Sequence, residues 1–395
     1  LFEAQSPIDL LTVTEQMRKD GTIETVDGGY YLVELSHQVA SSANIEYHAR
    51  ILAQKHIQRQ LIVAATETIR DAYEDATDAF ALLEKTEVNL FKIGHRKAKS
   101  AQHVRDITTS VIMEAERAMQ YTGECIGIPS GIRALDKETG GWRSPDLVII
   151  AGRPAMGKTA LALTIAKGSA KAGTGVAFFS LEMSKAQLVQ RLVCMEGKVN
   201  GQMARNGKLT QDDFRRMCEA QPVVDEMPIY IEDTPAMSVI ELRAAARRLK
   251  MKHNIGAVIV DYLQLMRGGE DQRGNREREI AQISGGLKAL AKELEVPVIA
   301  LAQLSRAVEV RGGSKRPQMS DLRESGAIEN DADIILFPYR PEYYQITEDE
   351  EGNSLAGVAE LIIGKNRHGR SGISVMCGFD EFYALFRDLD EKPSS

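Results

Sequence analysis

The run Gly152-Arg153-Pro154-Ala155-Met156-Gly157-Lys158-Thr159 fits the pattern GxxxxGK[ST], a spacing suited to gripping phosphate. Its glycines let the backbone wrap a nucleoside triphosphate, so that main-chain N–H groups and a helix N-terminus face the negative oxygens. Lys158 supplies a point charge at the outer phosphates, and Thr159 offers a hydroxyl to Mg2+. A chance match in a chain of this length is expected in about one sequence in a hundred. The run also follows an apolar stretch and leads into Ala160-Leu161-Ala162-Leu163-Thr164-Ile165-Ala166, as a strand–loop–helix cradle requires.

Hydrolysis needs further groups. Ala257-Val258-Ile259-Val260-Asp261 places a carboxylate at the end of a strand, where it can hold the metal through water. Phe178-Phe179-Ser180-Leu181-Glu182-Met183-Ser184 sets a second acid at a strand end. Ligands sit outside the carboxyl ends of strands in open parallel sheets, so Glu182 is a candidate base for orienting the attacking water. The competing reading is a Glu that only complements a helix dipole. Ile299-Ala300-Leu301-Ala302-Gln303 ends a third strand in an amide that can report a γ-phosphate or be an ordinary loop residue.

These residues need a sheet to align them. Short apolar runs rich in Val and Ile occur at Asp146–Ala151, Gly175–Ser180, Pro228–Glu232, Ala257–Asp261, Pro297–Ala302 and Asp333–Phe337. Separated by helical patterns, such runs predict a mostly parallel sheet covered on both faces. Val358–Gly364 and Gly372–Cys377 have no helix-length segment between them and predict a hairpin. Upstream, residues 1–73 read as short helices broken at Asp27-Gly28-Gly29-Tyr30, with Ile51, Leu52, Leu61, Ile62, Ala65, Ile69 and Tyr73 at helical intervals. Residues 74–100 form a linker region, with Phe80, Leu83, Leu90 and Phe91 near one stripe of a helix and a basic polar stretch from Gly94 to Ser100. The stripe packs on its own domain or docks on another subunit. Residues 101–395 form the α/β domain.

At 395 residues, with 43% hydrophobic, 27% charged and 6% aromatic content, the chain fits a soluble globular protein with one large domain plus something smaller, or with two ordinary domains. No apolar run approaches the roughly 20 residues of a membrane span. Leu1-Phe2-Glu3-Ala4-Gln5 has no signal-peptide pattern and reads as a fragment whose true start is missing. Cys125, Cys194, Cys218 and Cys377 are scattered, which suggests neither disulfides nor zinc and fits a reducing cytosol. The seven histidines, His253 and His368 among them, show no ligand spacing. A net charge of −7 argues against a generic basic coat for nucleic acid but leaves room for local basic loops.

From Gly127-Ile128-Pro129-Ser130-Gly131 through Thr159, the sequence resembles the ATPase domain of the DnaB family of bacterial replicative DNA helicases. So do Ser180–Ser184, Val260-Asp261-Tyr262-Leu263-Gln264-Leu265-Met266, Ala302–Arg306, Asp321–Asp333 and Gly364-Lys365-Asn366-Arg367-His368-Gly369. The resemblance is specific from about Gly127 to Phe386 and looser upstream. It implies a RecA-like P-loop ATPase core preceded by a partial all-α N-terminal collar domain and a linker helix.

The resemblance also implies a homohexameric ring around single-stranded DNA, cytoplasmic at the replication fork. It implies ATP and Mg2+ as cofactors, primase and a helicase loader as partners, and 5′ to 3′ translocation. Glu182 becomes the catalytic base, Lys158 and Thr159 the nucleotide and Mg2+ ligands, Asp261 the second metal-side acid and Gln303 the γ-phosphate sensor. Lys365 and Arg367 become a basic pair acting on a neighbour's nucleotide, although on the sequence alone both read as solvated hairpin charges. Arg323, Glu324 and Gly326 match positions that meet the DNA backbone. Arg273, within Asp271–Arg276, matches a second channel loop or belongs to a flexible polar surface loop. Few aromatics lie in either segment, which predicts phosphate tracking with little sequence preference. A strand-exchange ATPase forming filaments, or a regulatory ATPase that does not translocate, would share the same core.

Overall fold

The computed structural model describes residues 10–26, 29–37, 45–74, parts of 78–93, 103–120, 125–267, 276–305, 307–311, 315–349 and 351–389. The chain divides into two compact units, residues 1–102 and 103–395.

In the first unit, helices span Leu10–Lys19, Gly29–His37 and Ile45–Ala72. The helical spacing from Ile45 onward resolves into one 28-residue helix rather than several short ones. Its apolar positions Leu52, Ile62 and Ile69 are exposed, while Ala64 and Asp71 are buried. Asp71 accepts hydrogen bonds from Arg70 and Lys85, and these hold its carboxyl below the usual range. Asp27, Gly28, Phe80, Leu83 and Phe91 lie outside the described residues.

The second unit carries a nine-stranded sheet in the order β3-β2-β4-β5-β1-β6-β7-β8-β9. Its strands are β1 Leu147–Gly152, β2 Val176–Ser180, β3 Ile229–Glu232, β4 Ala257–Asp261, β5 Val298–Gln303, β6 Ile334–Tyr339, β7 Val358–Asn366, β8 Ile373–Asp380 and β9 Leu385–Arg387. The first six run parallel, and β7, β8 and β9 continue antiparallel. Every residue of β1, β2, β4 and β6 is buried. That explains their unbroken apolar character: helices cover both faces, so neither face can be polar. Each fully buried Val, Leu, Ile or Phe contributes about 1.5–3 kcal/mol.

The working end of the sheet is set by β1. It lies between β5 and β6, and its carboxyl end runs into the phosphate-loop motif and the helix Lys158–Lys171. That helix packs its apolar side chains Leu161, Leu163 and Ile165 into the core at 0–1% exposure, which fixes its N-terminus against the sheet. The helix that follows β2, Lys185–Gly197, opens with a capping box between Ser184 and Gln187, so its start is fixed just after Glu182. Among the elements that escape the sequence reading are a helix at Val104–Gln120 and the three-residue strand β9.

Candidate active site

At the carboxyl end of the sheet lies a cleft of about 830 Å3, lined by Lys158, Thr159, Glu182, Asp261 and Gln303 among others. Four sequence segments therefore converge on one space. Gly157 caps the Lys158–Lys171 helix with φ 86°, and a Cβ there would meet Phe386 and Phe379 at 3.1–3.3 Å. Only glycine satisfies both demands. Ala155 also adopts a left-handed φ of 67°. Its carbonyl accepts a hydrogen bond from Arg340 at 3.2 Å, while the same guanidinium lies 4.2 Å over the Phe379 ring.

Lys158 Nζ donates to the carbonyls of Gly152 and Arg153 at 3.0 and 3.2 Å, so the lysine folds back over its own loop. Burial lowers its pKa, opposed by the charges of Asp261 and Glu182. Thr159 Oγ1 donates to Asp261 Oδ2 at 2.8 Å. Asp261 is 1% exposed, and burial raises its pKa to about 6 against the pull of the Thr159 hydrogen bond. The cleft thus concentrates charges that the protein itself leaves weakly compensated. Burial likewise presses down the pKa of Arg191, a further cleft residue whose charge faces Asp261 and Glu182.

The turn that carries Glu182 is tied at both ends. Ser180 Oγ donates to the Met183 carbonyl and accepts from the Met183 N–H, and the Leu181 N–H donates to the Asp261 carbonyl. Glu182 itself is exposed toward the cleft. Gln303, also exposed, is the last residue of β5 and pairs across to Gly152.

Not all the motif residues face this space. Pro154, Ala155, Gly157, Lys158 and Thr159 line it. Met156 is buried, and Gly152 is the last residue of β1. The Arg153 side chain turns away, donating to Glu309 at 2.9 Å and to the Leu304 carbonyl at 2.9 Å.

Lys365 and Arg367 stand elsewhere. Asn366 on β7 pairs with Ile334 at the start of β6, so both basic residues sit at the amino end of the parallel strands, opposite the cleft. Arg367 donates to Asp333 at 3.2 Å and to the Asn330 carbonyl at 2.8 Å, and Lys365 donates to the Glu329 carbonyl. Asp333 also accepts from the Leu147 N–H and from Lys288. Burial would raise Asp333, but these hydrogen bonds outweigh it and hold its carboxyl below the usual range. Asp146, Asp333 and His368 bring possible ligand atoms within 4.8 Å of one another. The Lys288 ammonium, bonded to Asp333 and to the Pro145 carbonyl, already supplies a cation there.

Arg323 and Glu324 lie on a 3-10 turn at Met319–Ser325, and Gly326 opens the helix Gly326–Asp331. The side chains of Arg323 and Glu324, and the whole of Arg273, lie outside the described residues. The cysteines at 125, 194, 218 and 377 form no disulfide. Among the described residues no helix is long and apolar enough to cross a membrane.

Comparison with known proteins decides the family. The DnaB-like helicase C terminal domain matches residues 127–388, and the DnaB-like helicase N terminal domain matches residues 1–54. The chain belongs to the DnaB family of replicative DNA helicases. It is 43% identical over 98% of its length to the replicative DNA helicase DnaB of Geobacillus stearothermophilus, covering 84% of that protein. It is 42% identical over 99% of its length to the replicative DNA helicase DnaC of Bacillus subtilis, covering 85% of it. A solved DnaB-like replicative helicase, described with its interactions with primase, superposes with a TM-score of 0.67 at 33% identity, covering 98% of this chain and 90% of that one. As a DnaB-family protein the chain is an ATP-dependent DNA helicase with a nucleotide-using RecA-like domain. The fold expected from the sequence, a mostly parallel sheet with an all-α N-terminal part, is the one observed.

Two residues at this DnaB-type site had no role in the sequence reading: Arg191, which lines the cleft, and Arg340, which bonds to the Ala155 carbonyl of the phosphate loop. Arg340 could have been suspected as an arginine directly after an apolar strand neighbouring the phosphate-loop strand. Nothing in the sequence marks Arg191, which sits inside an ordinary helix.

Proposed function

We propose that the chain works as a subunit of a homohexameric ring that hydrolyses ATP at subunit interfaces and moves 5′ to 3′ along single-stranded DNA in the cytoplasm at the fork. One observation carries the proposal. Phosphate-gripping and acid groups meet at one end of the sheet, while the basic pair Lys365 and Arg367 sits at the other. In a head-to-tail ring that end of the sheet can face a neighbour's cleft, which supports a role for the pair on the neighbour's nucleotide. The apolar residues Val104, Ile107 and Val111, exposed on one stripe of the Val104–Gln120 helix, further support assembly.

Within the cleft, Lys158 neutralises the outer phosphates once these displace it from the loop carbonyls. Thr159 and Asp261 offer two hard oxygens 2.8 Å apart, and among the described residues the buried Asp261 carboxylate has no cationic hydrogen-bond partner, which fits Mg2+. The bound ion would draw charge from the phosphate oxygens. Glu182 accepts the proton of the attacking water, and its turn is anchored to Asp261, so base and metal-side acid keep a common frame. Gln303 senses the γ-phosphate with its exposed amide. Arg367 stabilises charge on the partner's nucleotide. Arg323, Glu324 and Gly326, with Arg273, contact the strand's backbone. Residues 1–73 act as a collar that meets primase, 74–100 as a linker, and 101–395 as the motor; a loader places the ring on DNA.

Unwinding of two matched duplexes, one with a 5′ tail and one with a 3′ tail, tests this. ATP-dependent opening of only the 5′-tailed substrate is expected. Hydrolysis that DNA does not speed, with neither substrate opened, would overturn the translocating motor in favour of a regulatory ATPase.

A further inference from the structure

The backbone ladder between β4 and β5 ends early. Its rungs run from Val258↔Val298 to Val260↔Ala300, whereas on the other side β5 stays paired with β1 as far as Gly152↔Gln303. The end of β5 that carries Gln303 is therefore held by backbone on one flank only. On the open flank a side chain takes the place of the missing strand. Gln264 Oε1 accepts from the Gln303 N–H at 3.1 Å, and Gln264 Nε2 donates to the Gln303 carbonyl at 3.3 Å. One primary amide thus supplies both halves of a β-rung.

Gln264 lies in the 3-10 turn Leu263–Leu265 that leaves β4 three residues after Asp261. Its own carbonyl accepts a hydrogen bond from Arg276 at 2.5 Å. Arg276 opens the helix Arg276–Leu294, which packs against Met319–Ser325 and Gly326–Asp331. A cavity of about 420 Å3, lined by Gln264, Arg276, Gln303, Asp321 and Leu322, lies among these elements.

We propose that Gln264 is a positioning residue that fixes the height of Gln303 and joins it, through Arg276, to the segment Met319–Asp331, so that it sets how strongly DNA speeds ATP hydrolysis. The inference rests on reading Gln303 as the γ-phosphate sensor and Met319–Asp331 as strand-contacting. Gln264 does not line the nucleotide cleft. It works because a displacement of the Gln303 backbone cannot occur without moving the amide that pairs with it, and that amide shares a residue with the Arg276 contact. The side chain must reach both backbone groups and present one donor and one acceptor. The change Gln264→Glu keeps the length but turns a carboxylate oxygen toward the Gln303 carbonyl.

The test compares the full chain with Gln264→Leu, Gln264→Glu, Arg276→Ala and Gln303→Ala. Steady-state ATPase is measured with and without single-stranded oligonucleotide, together with KM for ATP and binding of a fluorescent ATP analogue. The readout is the ratio of DNA-stimulated to unstimulated kcat. Both Gln264 variants are expected to lower that ratio by about tenfold, the size of an ordinary coupling between sites, with KM for ATP little changed. Arg276→Ala should lower it in the same direction. A purely structural role predicts both rates falling together with the ratio intact, and that result overturns the proposal. If Gln303→Ala loses stimulation while both Gln264 variants keep it, the positioning role alone fails. If Gln303→Ala keeps stimulation, the sensor reading fails and takes the proposal with it. Should Gln264→Leu not bind the analogue, the glutamate variant still decides.

Discussion

The two ends of the parallel sheet each hold an aspartate and a lysine, and they treat them in opposite ways. At the amino end, Lys288, Arg367 and the Leu147 N–H all bond to Asp333, whose carboxyl is held below its usual range. At the carboxyl end, among the described residues, the Asp261 carboxyl receives only the Thr159 hydroxyl, burial raises its pKa to about 6, and Lys158 turns its donors to loop carbonyls. The Asp333 carboxylate finds its partners within the chain, whereas the Asp261 carboxylate is left weakly compensated. A protein can leave buried charge poorly compensated where a charged ligand will arrive, and nowhere else without loss.

The largest effect should come from breaking the separation between the ends. Arg367→Ala is expected to lower turnover by about 10³ or more while its own cleft still binds nucleotide. Mixing it with Lys158→Ala subunits should restore part of the ATPase, because some interfaces then regain both groups. No recovery on mixing would place the arginine's action within one subunit. Next, Glu182→Gln should reduce kcat by about 10²–10⁴ with ATP binding retained, as measured by a filter or fluorescence assay. Surviving hydrolysis would remove Glu182 from the role of base.

Smaller effects sharpen the contrast through stability. Asp333→Asn should cost about 2–4 kcal/mol at neutral pH in urea unfolding, because it strands a half-buried lysine. Asp333 has a lowered folded pKa, so its contribution is full above the unfolded value near ~3.9 and lost as pH falls through the folded one. Asp261 has a raised folded pKa, so its stability contribution is present below the unfolded value and lost as pH rises through about 6. Asp261→Asn should therefore stabilise the nucleotide-free protein at pH 8, by roughly 2 kcal/mol, and do nothing below about pH 4. Two shifts of the same sign would remove the distinction between the ends.

Much of this is legible in the sequence because parallel strands advertise themselves. Asp261 and Glu182 are visible as acids ending apolar runs, and the phosphate loop as a spacing of glycines and lysine. What stays hidden depends on partners far along the chain. Arg340 meets a carbonyl at Ala155, and Gln264 meets the backbone of Gln303, 39 residues on. Neither contact has a local period or composition. β9 is three residues long and too short for alternation to declare it. The Ile45–Ala72 helix is readable as helical but not as one piece, since apolar spacing locates a face and not an end.

β9 carries a further consequence, for the order in which the molecule is made. Phe386 packs against the Gly157 position of the phosphate loop, and its N–H donates to Thr164, 222 residues earlier. At about 5–20 residues per second, a ribosome releases that strand on the order of ten to forty seconds after the loop it braces. The nascent chain thus carries its nucleotide-gripping motif through the intervening stretch of synthesis without the aromatic wall behind it. The cradle is finished only when β9 has emerged, so a product truncated before that strand should hold nucleotide poorly, whatever the state of its collar.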